Sequence, residues 1–420
     1  MRPGNCYRGE MPDSAAILAD LVRRPSVNPM GRPLAGPDYL EGQVTDYLLR
    51  RLEAVGIEAV RQPVAPGRDN VVARLPASQP QAPVLLWDVH QDTVPVDGMT
   101  IEPFAPVVQN GRLSGRGACD VKGGMAAMLV ALERLRREPS RRLRIVFAAT
   151  VNEEFGFSGA KALARLWQVP LASCASADRP AAELLAVKPQ AAVVAEPTGL
   201  HLVATHKGAV RWRMIAHGRA CHSAFPEQGA NAIYPAARAV LAIETLALEL
   251  RGRSPDHPCG PPTLSIGTIQ GGTGVNLVPD RVVLEIDRRL LPGESAEAAR
   301  QEVIDRVAAA VGEQADTAIT HESPFLSSSG LPEETSGQTA TMLRDAAAGC
   351  GHQADVLAAR YGTNASIYAV ADVPSVVFGP GSIAQAHTVD EWIDLSEVAT
   401  AASILTATVR LPEEAGCSSV

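Results

Sequence analysis

Cysteine is present but is nowhere set out for pairing. The seven cysteines (Cys6, Cys119, Cys174, Cys221, Cys259, Cys350, Cys417) are scattered, odd in number and without a C-x-x-C. That argues against a disulfide framework and against a cysteine-ligated zinc. No apolar run is long enough to span a bilayer, and residues 1–13 lack an apolar core of signal-peptide length. The expectation is a cytoplasmic protein with no membrane partner. Positive charge is not in excess. Lys and Arg number 38 against 46 Asp and Glu, the net charge is -8, and no basic patch suggests nucleic acid. No G-x-S-x-G occurs, which argues against a serine hydrolase. Gly271-Gly-Thr-Gly274 is glycine-rich, but no phosphate-binding lysine follows it as in a P-loop. Internal repeats are missing too. A metal, if one is used, must be held by histidine and carboxylate.

What is present is ordinary in bulk: 420 residues, 46% hydrophobic and 20% charged. That length exceeds one ordinary core, so two domains are expected. Helices are predicted over 14–24, 39–55, 123–137 and 159–167, and strands over 70–75, 84–89, 142–150 and 191–195. Strands alternating with helices indicate an α/β layer with a mainly parallel sheet. From Ala209 the order becomes strand 209–216, helix 230–250, strands 263–270 and 281–290, helix 296–311 and strand 315–321. That is the split βαβ, or ferredoxin-like, arrangement. After Pro324 the α/β character returns with helix 338–347, strand 373–378 and helix 395–409. The second domain therefore reads as an insert: 1–206 and 323–420 form the catalytic domain, and 207–322 the inserted one.

Polar residues gather at the C-terminal ends of the apolar strands, where open α/β sheets carry their sites. Leu86-Trp-Asp-Val-His90-Gln-Asp92 ends a buried strand in His-x-Asp, and residues i and i+2 share a side. Asp120, Glu153-Glu154, Glu196 and His387 stand at other element ends. Histidine and carboxylate without cysteine suit zinc, manganese or cobalt in a hydrolytic site. Two ions close together need a shared ligand, and a carboxylate can bridge. Of the adjacent Glu153 and Glu154, one can bind metal while the other stays free as a base.

Five motifs in order carry a resemblance. They are His90-Gln-Asp92-Thr-Val-Pro95, Gly117-Ala-Cys-Asp120-Val-Lys-Gly-Gly124, Asn152-Glu-Glu-Phe-Gly156, Glu196-Pro-Thr198 and Ala386-His387-Thr-Val-Asp-Glu-Trp392. The chain resembles the dinuclear zinc amidohydrolases that include acetylornithine deacetylase, succinyl-diaminopimelate desuccinylase, aminoacylase and glutamate carboxypeptidase. The resemblance runs from the opening helices to the helix after His387. Val89 stands where that family often has glycine.

Carried over by position, the resemblance implies that His90 and Glu196 hold one metal and Glu154 and His387 the other. Asp120 would bridge them and Asp92 would support His90. Glu153 would be the general base for a hydroxide shared between the metals. A cis peptide would follow Asp120. His222, in Gly218-Arg-Ala-Cys-His222, would stabilise the oxyanion, from its own chain or from a homodimer partner bound through the inserted lid domain. Asn276, Arg289, Gly362 and Thr363 would contact substrate. The implied activity is removal of an acyl group from an N-acyl amino acid, acetylornithine deacetylase-like. A desuccinylase or carboxypeptidase of the same family is the alternative, and a non-catalytic binding protein on this fold is the alternative of another class. Two zinc ions are the expected cofactors, with cobalt or manganese as substitutes.

Overall fold

The computed structural model describes residues 13–138, 140–312, 318–333 and 336–410. The chain divides into two compact units. One runs to Ala204 and resumes over Glu333–Leu357 and from Thr363. The other comprises Thr205–Pro332 and Ala358–Gly362. The five-residue return of 358–362 to the second unit is marked by no local pattern in the sequence.

The first unit is built on an eight-stranded sheet. Its strands are β1 (Glu58–Ala65), β2 (Arg68–Leu75), β3 (Val84–His90), β6 (Arg144–Thr150), β7 (Ala191–Val194), β8 (Leu202–His206), β14 (Val356–Ala359) and β15 (Ser375–Phe378). They lie in the order β1-β2-β6-β3-β7-β15-β8-β14. The four central strands β6, β3, β7 and β15 are parallel, and β1, β2 and β8 pair antiparallel around them. All seven residues of β3 are buried, as a strand covered on both faces requires. A small sheet of β4 (Val107–Gln109), β5 (Arg112–Ser114) and β16 (Trp392–Asp394) stands apart.

The helices of this unit are α1 (Ser14–Val22), α2 (Gly42–Ala54), α3 (Gly123–Arg137), α4 (Ser158–Arg165), α5 (Arg179–Leu185), α8 (Gly337–Gly349), α9 (Ala365–Val370) and α10 (Leu395–Val409). Asp13 caps α1 by accepting from Ala15 N at 2.9 Å, and Asp394 caps α10 by accepting from Ser396 N at 2.9 Å. α3 buries one long apolar side, and Arg134, Arg136 and Arg137 in its last turn suit the helix dipole. α2 begins at Gly42, not Tyr39, because Leu40 has φ 65° and cannot continue a right-handed helix. β1 was not expected. It is an edge strand with Pro63 inside it and mixed exposure, so its apolar pattern is weak.

The second unit is antiparallel. β9 (Gly208–His217), β10 (Thr263–Gly271), β11 (Arg281–Leu290) and β12 (Ile319–His321) lie in the order β10-β11-β9-β12, and β13 (Leu326–Ser328) also pairs with β9. α6 (Ile233–Arg251) and α7 (Ala296–Val311) cover one face. Burial alternates along β11 at period two, and the inward side chains of the unit include Trp212, Met214, Ile243, Leu246, Leu284, Ile286 and Val303. This is the β-α-β-β-α-β order expected. Residues 315–317 of the last predicted strand lie outside the described residues; Ile319–His321 is strand. The two ends of the unit meet: His206 N donates to Leu331 O at 3.3 Å, and Leu331 N donates to His206 O at 2.9 Å. Among the described residues no helix is long and apolar enough to cross a membrane.

Candidate active site

His90 is the last residue of β3 and only 2% exposed. Its Nδ1 lies 2.8 Å from the main-chain oxygen of Asp92. A carbonyl can only accept, so Nδ1 carries the proton and Nε2 keeps its lone pair for the site. That Nε2 lies 3.1 Å from Asp120 Oδ1. Asp92 stands beside His90 as expected, and the hydrogen bond it makes to the ring is through its main-chain oxygen. The Asp92 carboxylate stands 3.9 Å from the same Nδ1 through Oδ1 and makes its hydrogen bonds to other groups. It accepts from Glu153 N at 3.0 Å, Glu154 N at 3.2 Å and Asn28 Nδ2 at 2.8 Å.

Those bonds explain how two consecutive glutamates reach one place. β6 ends at Thr150, and Asn152 turns the chain with φ 62°, a left-handed conformation that asparagine tolerates well. Asn152 Oδ1 accepts from Arg68 Nη1 at 2.8 Å and Asn28 Nδ2 at 3.0 Å. Asn152 N donates to Glu41 Oε1 at 3.2 Å, and Glu41 is clamped in turn by Arg68. Burial pushes the carboxyl of Glu153 well above the usual range, and Glu154, Asp92 and Asp120 add to the effect. Glu196, just beyond β7, is buried and raised for the same reason, with Glu153 the largest added repulsion. Gly379 lies against it: a Cβ there would stand 2.5 Å from Glu196 O.

Asp120 sits in the turn 118–122 that leads into α3, and its peptide bond to Val121 is cis. The preceding Gly117 has φ 80°, and a Cβ on it would meet Thr93 Cγ2 at 2.7 Å. Asp120 uses separate oxygens toward the two histidines: Oδ1 toward His90, and Oδ2 toward His387 Nε2 at 3.2 Å. Burial opposes its ionisation, but hydrogen bonds from His387 and His90 outweigh that and hold it well below the usual carboxylate range. His387 Nε2 is also 3.3 Å from Glu154 Oε2, and these two carboxylates push its pKa up to about 11. Its side chain is 54% exposed, so it stands at the rim.

Two groups bring ligand atoms within 4.8 Å of one another: His90, Glu153 and Glu196, and His90, Asp120 and Glu154. The expected assignment put Glu153 with neither metal, whereas its oxygen lies with the first group. Glu154 Oε1 is buried with no hydrogen-bond partner. A buried acceptor left orphaned among acids is what a bound cation would satisfy. The donor set of imidazole and carboxylate fits divalent metals of the zinc type.

Glu391 belongs to the motif Ala386–Trp392, and its local sequence signals no role. Its buried carboxylate accepts from Arg116 Nη1 at 2.8 Å, Gly117 N at 2.9 Å, Cys119 N at 2.8 Å and Asp120 N at 2.9 Å. Asn28, Glu41 and Arg68 were missed altogether, because each meets its partners far along the chain.

Thr363 is buried in the first unit, where its Oγ1 accepts from Ala365 N at 3.1 Å. The other residues named from the sequence belong to the second unit. His222 is on an exposed loop, and its Nδ1 accepts from Ala224 N at 3.0 Å. Ser223 N donates to Asn276 O at 3.0 Å, so the His222 loop and the Asn276 segment lie side by side. Arg289, on β11, pairs with Asp287 at 2.9 Å. Gly362 closes the short segment that rejoins this unit.

A family model for peptidase family M20/M25/M40 matches residues 86–411. Acetylornithine deacetylase of Myxococcus xanthus is 27% identical over 366 residues, covering 86% of this chain and 89% of that protein. A probable carboxypeptidase of Emericella nidulans is 31% identical over 399 residues, covering 91% and 85%. The crystal structure of an M20 family metallo-carboxypeptidase from Sulfolobus solfataricus superposes with a TM-score of 0.74 at 16% identity, over 95% of this chain and 98% of that one. At that identity the likeness is one of fold.

Proposed function

The chain belongs to peptidase family M20/M25/M40 and is a hydrolase of amide bonds, and from that premise we propose that it removes the acyl group from an N-acyl amino acid, as its deacetylase relatives are named for doing. One observation carries the reading of the site. Asp120 turns one oxygen to His90 and the other to His387, with Glu153 and Glu196 buried and Glu154 half-buried around them. In our reading His90 and Glu196 hold one divalent ion, Glu154 and His387 hold a second, and Asp120 is shared. Zinc, cobalt or manganese bound there would supply an acidified water and a polarised carbonyl.

The protein's own groups do the rest. Glu153, held by the Asp92 bond to its amide, takes a proton from the attacking water and returns it to the leaving amine. His222 accepts at Nδ1, so its neutral ring carries a proton on Nε2, and that N–H suits a developing oxyanion. Arg289 is bonded to Asp287 through Nε, and its remaining guanidinium donors would take the substrate carboxylate; Asn276, Gly362 and Thr363 are our further candidates for substrate contact. We also propose a homodimer through the second unit. α6 exposes Ile233, Tyr234, Leu241 and Leu248, and β10 is an edge strand that exposes Ile269. Scattered thiols suit the reducing cytoplasm, where we place the enzyme.

The carboxypeptidase relative at 31% identity favours a second reading, cleavage of a C-terminal residue by the same groups. The deciding experiment compares N-acetylornithine, succinyl-diaminopimelate and an N-blocked dipeptide on metal-stripped protein with zinc, cobalt or manganese added back. Metal-dependent turnover of N-acetylornithine supports the deacylase. Turnover of the dipeptide alone makes it a carboxypeptidase. Failure to bind any metal overturns both.

A further inference from the structure

Asp88 lies on β3 two residues before His90, fully buried, and is used by none of the chemistry above. Its Oδ1 accepts from Thr150 Oγ1 at 3.0 Å, and its Oδ2 accepts from Asn364 Nδ2 at 2.9 Å. Asn364 Nδ2 also lies 3.0 Å from Thr150 Oγ1, which closes the triangle. The Tyr368 hydroxyl lies beside the same carboxylate without a hydrogen bond of good geometry. No arginine or lysine reaches Asp88 among the described residues. A buried acid answered only by neutral donors is costly to keep, and an apolar residue would pack there more cheaply.

The position of Asn364 sharpens the point. It is the N-cap of α9, where an asparagine side chain ordinarily accepts from the first amides of the helix. Here it makes no such bond. Thr363 Oγ1 takes the amide of Ala365 in its place, and Asn364 is turned back toward β3. The segment 363–365 is thus fastened to the strand end that presents His90. Thr150 is the register partner of His90 across β3 and β6, and Asp88 stands two residues earlier on β3, opposite Ala148.

We propose that Asp88 and Asn364 are a positioning pair that fixes Thr363 relative to His90 and so sets substrate affinity. This rests on the reading of Thr363 as a substrate contact. The test has an arm that does not. Asn364→Asp would set two carboxylates face to face, whereas the double variant Asp88→Asn with Asn364→Asp restores one donor and one acceptor with the polarity reversed.

Two quantities are measured. The first is hydrogen–deuterium exchange of the amides at 363–368, which needs no substrate. The second is KM and kcat on whichever substrate of the panel the wild type hydrolyses. Metal content and thermal midpoint are followed alongside. In Asn364→Asp, exchange at 363–368 rises and KM rises by about fivefold or more, the scale of one lost buried hydrogen bond, while kcat changes by less than about twofold. In the double variant both return to within about twofold of wild type. Wild-type exchange in the single variant, or a double variant as defective as the single, overturns the pair. A raised KM with unchanged exchange overturns the mechanism by which it was said to act. If exchange behaves as expected and no substrate of the panel is turned over by the wild type, the pairing stands and the functional reading falls.

Discussion

Glu391 accepts the main-chain N–H of Asp120 at 2.9 Å. Glu391 follows His387 by four residues, so one carboxylate joins the segment carrying His387 to the turn carrying Asp120. Three amides and the Arg116 guanidinium all converge on it. Glu391→Gln would point an amide donor at donors. We expect a loss of roughly 2–4 kcal/mol in urea denaturation. Chelator competition on the folded variant should show weaker metal binding, and unaltered stability with tight metal would contradict this.

Glu153→Gln keeps size and removes the base. kcat should fall by about 10²–10⁴-fold, the range for a lost general base. Metal content should be nearly unchanged, since His90, Glu196, Glu154, His387 and Asp120 remain. Residual activity above a tenth of wild type would assign the proton transfer elsewhere.

His387 stands at the rim, and His90 is enclosed. His387→Ala should therefore cost one metal of two at moderate chelator concentration, with the fold intact. Native mass spectrometry or elemental analysis reads the stoichiometry directly. Removing all metal should lower the thermal midpoint, since any ligand held only by the folded state stabilises it by mass action. A His387→Ala protein that still binds two ions would move the second site away from this residue.

Acid should weaken the second unit through His206. This histidine is buried, its Nδ1 donates to Lys207 O at 2.9 Å, and burial pushes its pKa from 6.5 down to about 4. The folded ring therefore binds a proton more weakly than the unfolded one, and protonation favours the unfolded chain. Its contribution is intact above about 6.5 and is lost as the pH falls toward about 4, by roughly 3 kcal/mol in all. Urea midpoints for wild type and His206→Gln should converge across that window as the pH is lowered, and parallel curves would contradict it.

Much of this was legible in the residues, for a physical reason. β3, β6 and β7 are short apolar runs that end in His90, in the Glu153-Glu154 turn and in Glu196, so each strand announces its own cargo. The split βαβ order of the second unit follows from alternating burial along strands such as β11. What could not be read was the support. Arg68 meets Glu41 and Asn152, and Asp88 meets Asn364, across separations that no local periodicity encodes. For Asp92 the finer detail was not legible, since spacing places a residue beside its neighbour and does not say how backbone and carboxylate divide the holding.

His206 and Leu331 exchange two hydrogen bonds at the mouth of the second unit. A segment whose ends are that close is topologically a cassette. Length changes in loops between 207 and 330 need not stretch the chain on either side. The strands that lead to His90 and Glu196 lie outside that segment. One scaffold can in this way accept a longer or shorter insert without a change in the strands that lead to His90 and Glu196.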